Sequence, residues 1–148
     1  VLEPRLADPE NPRVIIALAA AQSAKGDVAD AQTTLDTLPA NDRDKPEVTA
    51  LRNRLFFEGQ LAGAPAAAEL QTKLADDPND LPALHQLALR KVVDQDYDGG
   101  LELLLELMRK DRSFGDDAGR IGLLKVFELL GNDPRVSRYR SRMASLLH

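Results

Sequence analysis

Residues 81–110 read LPALHQLALRKVVDQDYDGGLELLLELMRK, and the recurrence of their apolar positions decides the fold. Leu84, Leu87 and Ala88 stand at helical spacing, as do Gly100, Leu104 and Leu107 beyond the polar break at Asp94-Gln95-Asp96. Spacings of three and four place such residues on one face of an amphipathic helix, and the alternation a strand needs is not sustained anywhere. Asp80 is placed to cap the first of these helices. The stretch therefore predicts two helices, about Leu81 to Gln95 and about Tyr97 to Lys110, joined by a tight turn.

The same pattern extends in both directions. Helices are predicted over about Pro12–Lys25, stopped by Gly26, and about Asp27–Leu38, closed by Pro39. Others follow over about Pro46–Leu61, Pro65–Ala75, Asp117–Leu130 and Pro134–Leu147, giving eight. In the first, Ile15, Leu18, Ala19 and Gln22 share one face. The 148 residues are 43% hydrophobic but only 4% aromatic, a composition rich in helix formers and poor in strand formers. Connections look short except 38–45 and 111–116, as antiparallel helix pairs require.

Sliding the chain on itself gives one informative offset, 69 residues. Ile15, Leu18 and Ala19 fall on Leu84, Leu87 and Ala88, while Asp27, Ala31, Leu35 and Leu38 fall on Asp96, Gly100, Leu104 and Leu107. Half of that offset is about 34 residues, the period of tetratricopeptide repeats. The chain resembles that family. Gly26-Asp27-Val28 and Gln95-Asp96-Tyr97-Asp98 occupy the turn between a repeat's two helices, and Ala31 and Gly100 are the small residues that let the second helix approach the first. The middle unit departs from the pattern, with Arg52 or Asn53 where a leucine is expected. Its first helix is expected to pack off register through Val48, Leu51, Leu55 and Phe56. The resemblance implies an all-α, right-handed superhelix of helix–turn–helix pairs, each burying its apolar face on a neighbour.

A closer resemblance covers about Pro12 to Leu147 and is most specific after Asp77. It rests on residues 101–111 (LELLLELMRKD), Gly119-Arg120, residues 126–131 (VFELLG) and residues 139–147 (YRSRMASLL). These are similar to the C-terminal repeat domain of bacterial thioredoxin-like chaperones, the YbbN family, also called CnoX or chaperedoxins. The resemblance implies a stress-response holdase that acts without ATP, binds unfolded client proteins and passes them to a GroEL-type chaperonin. It also implies one domain over residues 1–148, with 1–11 as a linker from an absent thioredoxin-like domain. Repeats are then expected at about 12–38, 46–76 and 81–110, with a closing helix pair at about 117–147. Val1 is not an initiator methionine, which suits a fragment of a longer protein.

Composition bounds the remaining possibilities. There is no cysteine, so disulfides, thiolate metal sites and thiol catalysis are excluded within this sequence, and a reducing, cytoplasmic setting is expected. A net charge of -5 argues against nucleic acid or an anionic membrane as partner. The longest apolar run, residues 14–21, is shorter than the roughly 20 residues of a membrane span. Residues 94–99 (DQDYDG) copy the first half of a calcium loop, but its twelfth position is Leu105 where a bidentate glutamate is required. Asp76-Asp77 and Asp116-Asp117 read as helix-end carboxylates. No nucleophile, phosphate-loop or zinc motif occurs, so neither catalysis, cofactor nor metal is expected.

Candidate binding residues are of two kinds. Arg13, Ile16, Ala17 and Ala20 of the first unit, with His85, Gln86, Leu89 and Val92 of the third, are expected to line a mostly apolar groove suited to exposed hydrophobic segments. His85 reads as a solvated groove residue. The last helix carries four arginines against one aspartate, and Arg135, Arg138 and Arg142 lie off its apolar face. That face is expected to cover Ile121, Leu124, Phe127 and Leu130, leaving the arginines in water for an acidic or apolar partner surface, plausible in a chaperonin. The competing reading is a repeat scaffold that holds one specific protein or peptide.

Overall fold

The structure, a computed structural model, describes residues 11–147. The expected linker lies outside the described residues except for Asn11, and so does His148. Helices α1 (Pro12–Ala24), α2 (Val28–Asp36), α3 (Pro46–Gln60), α4 (Ala67–Asp76), α5 (Leu81–Val93), α6 (Tyr97–Lys110), α7 (Phe114–Leu130) and α8 (Pro134–Leu146) follow in order, with a 3-10 turn at Ala40–Asp42 between α2 and α3. No strand occurs among the described residues. All eight predicted helices are present, their ends shifted by a few residues. The chain falls into two compact units, one ending at Gly59 and the other beginning at Gln60.

In the first unit Asn11 caps α1, its Oδ1 accepting from the Arg13 N–H at 2.9 Å, and Pro12 begins the helix where a missing N–H costs nothing. Gly26, at φ +87°, turns the chain into α2. Ile15 and Ala19 then meet Ala31, Leu35 and Leu38 across the pair, and Val48 and Leu55 of α3 close the core. Each such leucine, fully buried, contributes about 1.5–3 kcal/mol. Polar links bracket this packing: Ser23 Oγ donates to Glu58 at 3.3 Å and Arg52 pairs with Asp36 at 2.9 Å.

The off-register packing of α3 holds for Val48 and Leu55, with Leu51 packed beside them, but Phe57, not Phe56, is its buried aromatic ring. The two rings meet edge to face at 5.2 Å. Asn53, where a leucine was expected, is 1% exposed, and neither amide atom finds a hydrogen-bond partner among the described residues.

In the second unit, Gln95 takes the place of Gly26 and adopts the same left-handed backbone, at φ +67°. Asp96 caps α6 by accepting from the Gly99 N–H at 3.0 Å. Gly100 sets the distance between α5 and α6, since a Cβ there would stand 2.6 Å from Val92 Cγ2 and 3.0 Å from the Ala88 carbonyl. Gly119 does the same between α6 and α7, where a Cβ would come within 2.8 Å of Met108 Cγ. Gly115, Asp116 and Asp117 are left-handed, so the regular part of α7 begins just after the predicted Asp117. Leu70 of α4 is fully buried against Ala83 and Leu87 of α5.

Candidate functional site

The expected groove residues belong to different units, and each group is placed by its own packing. In the first unit α1 buries Ile15, Ala19 and Ser23, while Gln22 accepts from the Thr34 hydroxyl at 2.6 Å. What remains outward is Arg13, Ala17, Ala20, Ala21 and Ala24, with Ile16 partly buried at the margin. A surface helix normally turns charged residues outward. Here the outward positions are alanines with one arginine.

In the second unit the corresponding residues are mostly enclosed. Leu89 is 0% and Val92 3% exposed, so neither lines an open groove; α7 returns to pack on α5, and Val92 lies under Gly100. Gln86 is partly buried. His85 is partly buried: its ring meets Phe114 edge to face at 6.0 Å, and burial lowers its pKa, favouring the neutral imidazole. The apolar side chain that does reach solvent from α5 is Val93, 48% exposed. Arg90 is spent within the unit, donating to the carbonyls of Pro65 at 3.1 Å and Ala64 at 2.8 Å.

The second candidate surface, α8, has charged neighbours inside its own unit. It buries Val136, Tyr139 and Met143, and its arginines, exposed as expected except for the partly buried Arg135, are nonetheless engaged by neighbouring side chains. Arg142 grips Glu102 of α6 with both terminal nitrogens, at 2.6 and 3.0 Å, and the Tyr139 hydroxyl donates to the same carboxylate at 3.0 Å. Arg135 pairs with Asp133 at 2.8 Å and reaches Asp98 of α6 at 3.6 Å, where Arg138 joins it at the same distance. Arg140 lies over the Phe127 ring at 5.3 Å. Asp98 and Glu102, which the sequence did not mark as neighbours of this helix, are thus its acidic partners within the unit. Phe127 is buried as expected, whereas Ile121 is 36% exposed.

Electrostatics follow the geometry. Hydrogen bonds from Arg142, with help from Tyr139, hold the Glu102 carboxyl below the usual carboxylate range. Bonds from the Arg135 side chain and backbone lower Asp133 to about 2. The Tyr139 phenol is pushed up, first by burial and then by the hydrogen bond to Glu102. In the calcium-like stretch, Asp96 caps α6 and Asp98 faces arginines. Among the described residues no cluster of three or more metal-ligating side chains occurs, and no helix is long and apolar enough to cross a membrane.

Two family models, each described as a tetratricopeptide repeat, match the chain, one over residues 60–148 and the other over residues 5–55. No curated protein matches it.

Proposed function

We infer, from the premise that the chain belongs to the tetratricopeptide-repeat family, that it is a protein-interaction domain whose occupants are unfolding proteins. In this reading it acts as the holdase part of a bacterial thioredoxin-like chaperone, captures clients without catalysis in a reducing cytoplasm, and passes them to a GroEL-type chaperonin. One observation carries it. The outward face of α1 offers Ala17, Ala20 and Ala24 beside a single charge, Arg13, where a solvated helix would carry several. Burial on such a face yields about 25 cal/mol per Å² whatever the sequence of the bound segment, which is what an unselective holdase requires. The likeness of residues 101–111 and 139–147 to chaperedoxins supports the choice of client. A chaperonin reaching the arginines of α8 would have to compete with Asp98 and Glu102, so α1 is the better surface for capture.

Light scattering of several unrelated, chemically unfolded proteins diluted with and without the chain tests the reading. Suppression for all of them, with retention of a purified chaperonin in a pull-down, is expected. Saturable binding of one defined partner without suppression would instead make the domain a specific assembly scaffold.

A further inference from the structure

In the second unit one side of the α5–α6 pair is covered by α4. Leu70 is fully buried there against Ala83 and Leu87, which are 2% and 5% exposed, with Ala67, Leu74 and Leu103 packed around them. The offset of 69 residues carries Ala83, Leu87 and Leu103 onto Val14, Leu18 and Thr34. These three are only partly buried, and with Ile15, Gln22 and the threonines 33 and 37 they line a cleft of about 320 Å³ between α1 and α2. The first unit therefore has a cleft where the second holds a helix.

The two walls of the cleft differ in chemistry. The α1 wall is apolar through Val14, Ile15 and Leu18. The α2 wall is a row of hydroxyls whose protons are already engaged. Thr33 donates to the Ala29 carbonyl at 3.0 Å, Thr34 to Gln22 Oε1 at 2.6 Å and Thr37 to the Thr34 carbonyl at 2.6 Å. Each hydroxyl oxygen can still accept, so an occupant gains on this side by bringing donors. None of the lining residues is charged, and Asp30, exposed and without an ion pair among the described residues, stands one turn before Thr33 and Thr34 on the same face of α2. This side of the cleft therefore favours a positive charge.

We propose that the α1–α2 cleft docks an amphipathic helix of a partner protein, with leucines four residues apart seated on Val14 and Leu18 and a lysine or arginine turned toward the threonines and Asp30. The template is α4, which meets the equivalent surface with Leu70 and Leu74, four apart, and Ala67 one turn earlier. A second copy of this chain does not supply the helix from α4, because Leu70 is 0% exposed in its own unit and freeing it would open that core. The cleft lies on the Val14–Leu18 side of α1 and leaves Ala17, Ala20 and Ala24 untouched. The proposal is independent of what those alanines bind.

Methyl NMR of the full chain tests it, with a capped peptide of residues 65–75 as the probe, carrying Glu69→Gln so that Lys73 is its one charge. The Val14, Ile15 and Leu18 methyls should shift saturably on titration while those of Ala83 and Leu87 keep their positions. The same peptide with Leu70→Asp/Leu74→Asp should move none of them. In the chain, Asp30→Lys changes an exposed position and should leave the fold intact while raising the dissociation constant about two- to fivefold. No shift at millimolar peptide would overturn the proposal, and so would shifts centred on Ala83 and Leu87, which would mean that the peptide only displaces α4. Equal binding by Asp30→Lys would overturn it too. So would nuclear Overhauser contacts in the unaltered chain from residues 1–10 to Val14 or Leu18, which would give the cleft to the chain itself.

Discussion

Glu102 on α6 accepts the Tyr139 hydroxyl at 3.0 Å and both terminal nitrogens of Arg142, at 2.6 and 3.0 Å, from α8. A two-pronged guanidinium–carboxylate pair is stronger than a single ion pair, but both side chains here are about half exposed, so solvent screens much of the gain. Glu102→Gln should therefore cost about 1 kcal/mol, seen as a lower melting temperature. Arg142→Ala added to it should cost less than the sum of the single changes. At about 1 M salt, where the screening length is about 3 Å, the difference between Glu102→Gln and the unaltered chain should shrink. A gap that does not respond to salt would remove the electrostatic account of the seam.

The seam should weaken at both ends of the pH scale. Glu102 and Asp133 have depressed pKa values in the folded chain, so their contribution is present above their unfolded values. It is lost as pH falls from the usual carboxylate range, about 4, toward the value of about 2 for Asp133. Tyr139 is raised, so its contribution is complete below the ordinary tyrosine value of about 10 and is lost as pH rises through the folded one. Hydrogen exchange of α8 amides should accelerate on both limbs, and Tyr139→Phe should remove part of the alkaline one.

Gln95 at φ +67° does the work that Gly26 does at +87°. A side chain in the left-handed region costs about 1 kcal/mol or more, and glycine avoids that cost while losing more chain entropy on folding. Gln95→Gly should raise stability by about 0.5–1 kcal/mol in urea unfolding. Gly26→Gln should lower it by about 1 kcal/mol or more through backbone strain alone, because a Cβ there meets nothing within 4 Å.

Asn53 is buried, and its amide has no hydrogen-bond partner among the described residues. Leaving such a group without partners costs about 1–3 kcal/mol, so Asn53→Leu, which restores the residue type the repeat expects, should stabilise the first unit by about that much. Unfolding midpoints in urea check it, and a destabilised variant would mean that the amide is satisfied in solution.

Local signals made most of this fold legible. The helix ends are written in Asn11-Pro12, Asp80-Leu81-Pro82 and Asp133-Pro134, and the close approach of α5 and α6 in Gly100. What escaped depends on returning segments. Leu89 looks like a surface residue until α7 folds back over α5, and the arginines of α8 look free until they meet Asp98 and Glu102, some 37 to 40 residues away for Glu102. Likewise, adjacent Phe56 and Phe57 carry equal apolar weight, and only the folded chain shows that Phe57 is the one inside.

Aggregation of unfolded client proteins, followed by light scattering with the unaltered chain and with Ala17→Glu/Ala20→Glu, tests the central claim most directly. Both positions are exposed, so the variant should melt within about 0.5 kcal/mol of the parent while losing most of its suppression. Equal suppression by a folded variant would contradict the assignment of client capture to the outward face of α1.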